Sequence, residues 1–137
     1  MNGKEQKGLT ISGAYEAGKL AADEADWADV CALDDVLPGT GVAALVAGEQ
    51  IAIVRTRDGR VAALSNFDPF SKAFVIARGI VGDRGGVPKI ASPIYKQNFS
   101  LETGECLDDP SVRLLTYDVR VSRGRIQIAA SSLGKTP

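Results

Sequence analysis

Histidine is absent from the 137-residue chain, and this absence excludes more chemistry than any other feature of the composition. Histidine is the commonest general acid–base and the commonest metal ligand of proteins. Pairs of a nucleophile with histidine, such as the Ser-His-Asp triad, cannot be built from this chain. The sequence also contains no Gly-x-Gly-x-x-Gly nucleotide loop. We therefore predict no catalytic, cofactor-binding or metal-binding residues in the chain by itself.

Cysteine is nearly as scarce, because Cys31 and Cys106 are its only examples. The two are far apart, form no C-x-x-C pair and are too few for a four-cysteine metal site. We expect two buried thiols in a reducing compartment, and a disulfide between them is the alternative. No apolar segment follows the first lysines, so we see no secretory signal and expect a cytoplasmic protein.

Long apolar runs and a large net charge are lacking as well. The longest apolar stretch, residues 42–47, is far shorter than the about 20 residues of a membrane-spanning helix. The 16 basic and 17 acidic side chains leave a net charge of -1, which argues against a general nucleic-acid binder. Hydrophobic residues nevertheless make up 45% of the chain, enough for a globular core.

The composition changes along the chain and suggests where the folded domain lies. Residues 1–35 carry three basic and eight acidic side chains, whereas residues 66–100 carry five basic and two acidic ones. The beginning also has few large aliphatic residues and no strand pattern. We expect residues 1–26 to be a flexible N-terminal extension, residues 27–130 to be the domain, and residues 131–137 to be a C-terminal tail.

Short strands and turns fill most of the predicted domain. Asp58-Gly59 is the strongest short hairpin signal, and residues 115–121 alternate between apolar and polar side chains, as a half-buried strand does. Residues 79–88 contain too many glycines for a helix and are too long for a tight hairpin. The regular turn spacing predicts an all-β fold, an antiparallel β-sandwich or small barrel.

Two loop-like segments interrupt the strand pattern in the middle of the domain. Their sequences are SNFDPF at residues 65–70 and ASPIYK at residues 91–96, separated by the 20 residues 71–90. Loops that project from a rigid β-scaffold commonly carry the function of a protein. The two segments are therefore the predicted functional site.

The order of elements around these loops resembles a Rieske domain, in which two loops each supply one Cys and one His to a [2Fe–2S] cluster. The retained features are Asn66 before the first loop, Pro93 in the second, and the Thr103-Gly104-Glu105 turn that follows. The resemblance implies a Rieske-like fold in which the loops form a degenerate cluster-binding subdomain.

All four cluster-ligand positions implied by this resemblance carry other residues. Asp68 and Ser92 stand at the cysteine positions, Phe70 and Tyr95 at the histidine positions, and Lys96 at a position where glycine is common. Phenylalanine cannot ligate iron, and serine and neutral tyrosine are poor substitutes for thiolate and imidazole. We predict no iron–sulfur cluster, and expect hydrogen bonds among Asp68, Ser92 and Tyr95 to hold the loops closed.

A more specific resemblance, over about residues 27–130, is to the small subunits of assimilatory NAD(P)H-dependent nitrite reductases, a Rieske-like family without a cluster. The segments that carry it are residues 66–74, 78–86, 89–97 and 101–108. It implies a non-catalytic accessory subunit. The partner large subunit would carry FAD, sirohaem and a [4Fe–4S] cluster, and would reduce nitrite to ammonium with electrons from NAD(P)H.

Two alternatives from other classes remain beside this reading. One is a stand-alone Rieske-like protein-interaction module with no enzyme partner. The other, a working Rieske ferredoxin or oxygenase component, needs Cys and His ligands that the loops lack.

Four basic residues are the candidates for docking to a partner. They are Lys72, Arg84, Lys89 and Lys96. Facing one way, they would meet an acidic surface of the large subunit, and the alternative is that they are simply solvated. We expect Phe70 and Phe74 to pack in the core or within the loops rather than to anchor a partner.

Overall fold

The structure, a computed structural model, describes residues 26–134. In this range the chain forms antiparallel strands and short 3₁₀ segments, which confirms the predicted all-β class. The strands are β1 Trp27–Ala32, β2 Thr40–Val46, β3 Glu49–Arg55, β4 Val61–Ser65, β5 Phe67–Asp68, β6 Ala73–Phe74, β7 Ile80–Arg84, β8 Val87–Ala91, β9 Asn98–Ser100, β10 Thr116–Tyr117, β11 Val119–Ser122 and β12 Arg125–Ala129. The 3₁₀ segments are Leu33–Asp35, Ile76–Arg78 and Ala130–Ser132. None of these helical segments has the length and apolar character of a membrane span.

A four-stranded sheet in the order β10–β4–β3–β2 forms the central layer of the domain. Successive side chains of a strand point to opposite faces, so Ile51 and Ile53 of β3 enter one core while Ala52 and Val54 enter the other. Because both faces of β3 are covered at its middle, residues 51–54 form a continuous apolar run rather than an alternating pattern.

The first core lies between the central sheet and a second sheet in the order β1–β12–β11. Val30, Ile126 and Ile128 of this second sheet are fully buried there. Asp29, which is 2% exposed, receives hydrogen bonds from the Arg125 guanidinium at 3.0 and 3.2 Å. A buried carboxylate needs such a partner to offset its desolvation, and the pair ties β1 to β12.

The second core lies on the opposite face of the central sheet, under a third sheet in the order β7–β8–β9. Its largest side chain, Phe99, is fully buried. A two-residue turn at Gly85-Gly86 joins β7 to β8, with φ of 59° and 88°. The prediction that residues 79–88 form no tight hairpin was therefore wrong: paired glycines supply the two positive φ angles of a type I′ turn.

Two other strand predictions had opposite outcomes. The hairpin at Asp58-Gly59 is confirmed, since this turn joins β3 to β4. The single strand expected over residues 115–121 is instead two strands, β10 and β11, which lie on either side of Asp118 and belong to different sheets. Val121 consequently lies outside the first core and is 44% exposed.

The ends of the described chain bear on the predicted domain boundaries. Residues 1–25 of the predicted extension, residues 1–26, lie outside the described part of the chain. Of the predicted tail, residues 131–137, the first part packs on the domain. Ser132 is buried, and the Gly134 N–H donates a hydrogen bond to the Glu49 carboxylate.

Candidate functional site

The two loops singled out in the sequence lie in direct contact beside the second core. The first loop, residues 66–75, leaves the end of β4, and the second loop, residues 92–97, connects β8 to β9. Asn66 anchors the first loop: its Oδ1 accepts a hydrogen bond from the Ala77 N–H at 2.7 Å, and its own N–H donates to the Gln50 carbonyl at 3.0 Å. An amide side chain that replaces backbone partners in this way fixes where the loop begins.

Asp68 is the centre of the contact between the loops. Its side chain is fully buried and accepts hydrogen bonds from the Ser92 hydroxyl at 2.5 Å, the Phe70 N–H at 2.9 Å and the Ser71 hydroxyl at 2.9 Å. Burial raises the pKa of Asp68, but the hydrogen bonds from Ser92, Phe70 and Ser71 outweigh burial and hold the pKa below its ordinary value. The carboxylate is therefore ionised at neutral pH and links the loops.

The other two positions at which the Rieske resemblance places histidines face in different directions. Phe70 packs against Phe99 of the second core, with ring centroids 6.2 Å apart. Tyr95 is 62% exposed and makes no hydrogen bond with another residue of the 26–134 range. Of the three side chains expected to bond across the loops, Asp68 and Ser92 do so and Tyr95 does not.

The residues at these four positions do not fit a [2Fe–2S] cluster. Asp68 and Ser92 are in direct contact, which leaves no room for an iron ion between them. Phe70 has no donor atom, and the Tyr95 phenol is turned to solvent. In the described part of the chain, no group of three or more His, Cys, Asp or Glu side chains is placed to hold a metal ion.

The two cysteines lie elsewhere, as free buried thiols in separate cores. Burial, with a smaller contribution from the Asp35 charge, raises the pKa of Cys31 to about 12. Burial likewise raises the pKa of Cys106. A thiol with a raised pKa is a poor nucleophile and metal ligand at neutral pH, so neither cysteine supplies the chemistry that the loops lack.

Of the four basic residues predicted to dock a partner, the structure places two on the joined loops and two on the third sheet. Lys72 lies in the turn of the first loop and Lys96 in the second loop, both exposed. Lys89 lies on the outer face of β8, between buried Pro88 and Ile90, and Arg84 donates to Asp108 at 2.9 Å.

The sequence reasoning placed Phe74 in the core or within the loops and did not single out Ile94. Phe74 is 52% exposed and stacks on Phe67, with ring centroids 5.1 Å apart, and Ile94 is 45% exposed. We define the tip surface as the exposed side chains of the two joined loops. Its members are Lys72, Phe74, Ile94, Tyr95 and Lys96.

One sequence signal did point to an unusual feature of this surface. Lys96 occupies a position where glycine is common in the Rieske resemblance, and its φ is 62°. That angle lies in the left-handed region, which glycine adopts freely and other residues rarely do. Lys72 has nearly the same φ, 61°, but no feature of the sequence pointed to it.

Two concave parts of the described surface lie on other elements. Two adjoining pockets of about 400 Å³ each share Thr56, Arg60 and Pro88 in their walls. Arg60 is engaged there with Asp58 at 3.2 Å, an exposed pair. The walls include neither cysteine, so they supply no thiol nucleophile.

Comparisons with known proteins identify the family of the chain. The sequence matches the model of the Rieske-like [2Fe–2S] domain family over residues 26–129. It is 45% identical, over 103 residues, to the nitrite reductase (NADH) small subunit of Salmonella typhimurium, a match that covers 74% of this chain and 95% of that protein.

Two further proteins show how widely the likeness extends. A solution NMR structure of the nitrite reductase NAD(P)H small subunit from Erwinia carotovora has a TM-score of 0.67 and 44% identity, covering 82% of this chain and 85% of that one. The nitrite reductase NAD(P)H large subunit of Klebsiella oxytoca is 34% identical over 116 residues, which are 85% of this chain and 12% of that protein.

Proposed function

The chain belongs to the Rieske-like [2Fe–2S] domain family, in the group of the nitrite reductase small subunits, and on this premise we propose that it is the accessory small subunit of an NAD(P)H-dependent nitrite reductase. The observation that carries the proposal is the 45% identity across 95% of the Salmonella typhimurium small subunit. The family match, over residues 26–129, includes both loops of the candidate site.

The large-subunit relative supports the choice of partner. In the Klebsiella oxytoca protein, a region similar to this chain is part of a polypeptide named as a nitrite reductase large subunit. Covalent joining holds two domains at high effective concentration. A domain that is joined to the large subunit in one organism is a natural non-covalent partner of it in another.

We assign the chemistry of the reaction to the large subunit, which would carry FAD, sirohaem and a [4Fe–4S] cluster and take electrons from NAD(P)H. The support from this chain is its set of side chains. The loops present a carboxylate, a phenyl ring, a hydroxyl and an outward phenol where the Rieske resemblance places two thiolates and two imidazoles. A contribution through binding, stability or assembly fits these groups, and a cluster held by this chain does not.

The experiment is co-expression with the large subunit encoded in the same genome. An affinity tag on the small chain is expected to retain the large subunit through gel filtration. Nitrite-dependent oxidation of NADH and of NADPH is then compared between the large subunit alone and the complex. We expect the complex to have the higher activity or the longer half-life, and the isolated small chain to have none.

The competing functions predict other outcomes of the same experiment. A stand-alone interaction module would elute alone and leave nitrite reduction unchanged. If the small chain is deleted from the organism and growth on nitrite as nitrogen source is unaffected, the proposal is wrong.

A further inference from the structure

The two joined loops expose apolar side chains. Seven large hydrophobic side chains are exposed in residues 26–134, and three of them lie on the two joined loops. They are Phe74, Ile94 and Tyr95, with 52%, 45% and 62% exposure. Clustered exposed apolar side chains are characteristic of binding surfaces, and tyrosine is enriched at their energetic centres.

The exposed charges of the tip surface are all positive. Lys72 lies on the first loop and Lys96 on the second, and both are exposed. The only acidic residue of the two loops is Asp68, whose carboxylate is fully buried and turned towards Ser92. The exposed part of the loops therefore presents two positive charges and no negative one.

The backbone shows that these two lysines are held at a cost. Their φ angles of 61° and 62° lie in the left-handed region, where a Cβ crowds the backbone and glycine is relaxed. Their ammonium groups form no hydrogen bond or ion pair with the rest of the described chain. Neither ammonium group has a role within the described residues, so both are available to a partner.

We propose that the tip surface is the site at which the chain binds the large subunit, through a patch on that subunit that presents both apolar side chains and carboxylates. This inference rests on the proposed function and deepens it. Phe74, Ile94 and Tyr95 supply the apolar contact, and Lys72 and Lys96 meet the carboxylates. The contact surface is rigid before binding because the Asp68–Ser92 hydrogen bond joins its two halves.

The charge of the surface also selects among possible occupants. A second copy of the chain would bring the same two lysines against themselves, and like charges across an interface are unfavourable. An acidic patch turns both lysines into attractive contacts and accelerates the encounter. Arg84 and Lys89 are not part of this surface, since Arg84 is paired with Asp108 and Lys89 lies on the outer face of β8.

The test measures the affinity of the full chain for the purified large subunit by isothermal titration calorimetry, at about 50 mM and about 300 mM salt. Tyr95→Ser is expected to weaken binding about tenfold or more at both salt concentrations, because it removes an interfacial aromatic ring. Lys96→Gly is expected to weaken binding about fivefold at the lower salt concentration and less at the higher one.

The matched control is Arg123→Gly. Arg123 is also exposed, basic and left-handed, with φ 53°. The turn that contains Arg123 accepts a hydrogen bond from the Leu33 N–H, and the Leu33 carbonyl accepts one from Arg55 at the end of β3. The first loop instead bonds to Gln50, at the start of β3. The control therefore removes the same charge and relieves the same strain at the opposite end of the molecule.

The outcomes separate this inference from the proposed function. Both glycine variants are expected to melt at or above the temperature of the parent chain, so a weaker affinity of Lys96→Gly alone reports a lost contact. If the parent binds and Tyr95→Ser and Lys96→Gly bind within about twofold of it, the tip surface is not the interface and the subunit role stands. If the parent does not bind, the subunit role fails. If the parent chain is a homodimer and Tyr95→Ser dissociates it, the tip surface binds a second copy rather than the large subunit, and the inference is wrong.

Discussion

Asp68 and Ser92 are 24 positions apart in the chain, yet the Ser92 hydroxyl donates a 2.5 Å hydrogen bond to the Asp68 carboxylate, and both side chains are buried. The bond joins the two loops side chain to side chain. A hydrogen bond to an ionised group is stronger than a neutral one. This ionic hydrogen bond therefore joins the two positions at which the Rieske resemblance places cysteines.

Asp68→Asn is expected to lower the free energy of unfolding at pH 7 by about 1–3 kcal/mol, because the amide removes the charge that three donors stabilise. Urea denaturation followed by tryptophan fluorescence measures the change. The control is Asp34→Asn, an exposed carboxylate without a hydrogen bond in the described chain, which should change stability by less than about 0.5 kcal/mol.

The comparison of the parent chain with Asp68→Asn also predicts how stability depends on pH. The pKa of Asp68 lies below its ordinary value in the folded chain. Its stabilising contribution is therefore complete above the unfolded-state pKa, about 3.9, and is lost as the pH falls through the lower folded-state pKa. We expect the stability gap between the parent and Asp68→Asn to be constant from pH 7 to about 5 and to shrink below about 4. A gap that widens in acid would contradict this.

The two phenylalanines of the first loop are expected to differ in their effect on stability. Phe70 packs against Phe99 in the second core, whereas Phe74 is 52% exposed and touches Phe67. Phe70→Ala should cost about 2–4 kcal/mol of unfolding free energy and Phe74→Ala about 1 kcal/mol or less. Similar losses in both variants would mean that Phe74 is a packing residue rather than part of the tip surface.

Local sequence signals predicted those parts of the fold that depend on neighbouring residues. Asp58-Gly59 identified its hairpin because Gly59 supplies the positive φ, 95°, in the turn over residues 56–60. Gly85-Gly86 is a signal of the same kind, but an expectation based on the whole glycine-rich stretch 79–88 overlooks it. The alternation over residues 115–121 was real, but the chain changes sheets at Asp118, and that depends on which strands lie nearby.

The site was predictable where contacts follow from residue chemistry and not where they follow from orientation. A carboxylate and a hydroxyl at facing loop positions were expected to bond, as Asp68 and Ser92 do. Tyr95 has an equally suitable hydroxyl, but the turn over residues 93–95 directs its ring to solvent. The direction of a side chain on a loop depends on the backbone angles, which residue type alone does not determine.

Gly104→Ala should be among the most destabilising single substitutions in the chain. The Gly104 φ is 80°, and a Cβ there would lie 2.2 Å from the Leu114 carbonyl oxygen, which belongs to the backbone and cannot move aside cheaply. Gly59 has a φ of 95° but open space around it. We expect Gly59→Ala to cost about 1 kcal/mol and Gly104→Ala about 3 kcal/mol or more, as measured by thermal denaturation. Equal costs would show that strain at φ, not the collision, decides both.

Reconstitution with iron and sulfide tests the assignment of the loops as a cluster-free contact. The purified chain is incubated anaerobically with ferrous iron and sulfide, desalted, and examined for visible absorption and bound iron, with a Rieske ferredoxin treated in parallel. We expect iron and colour only in the ferredoxin. The loops offer Asp68 and Ser92 in direct contact, and Cys31 and Cys106 are buried in separate cores with raised pKa values. A thiolate ligand would first require a core to open. Stoichiometric iron and sulfide with visible bands in this chain would therefore mean that the loops rearrange, and the hydrogen-bonded contact would no longer describe the working protein.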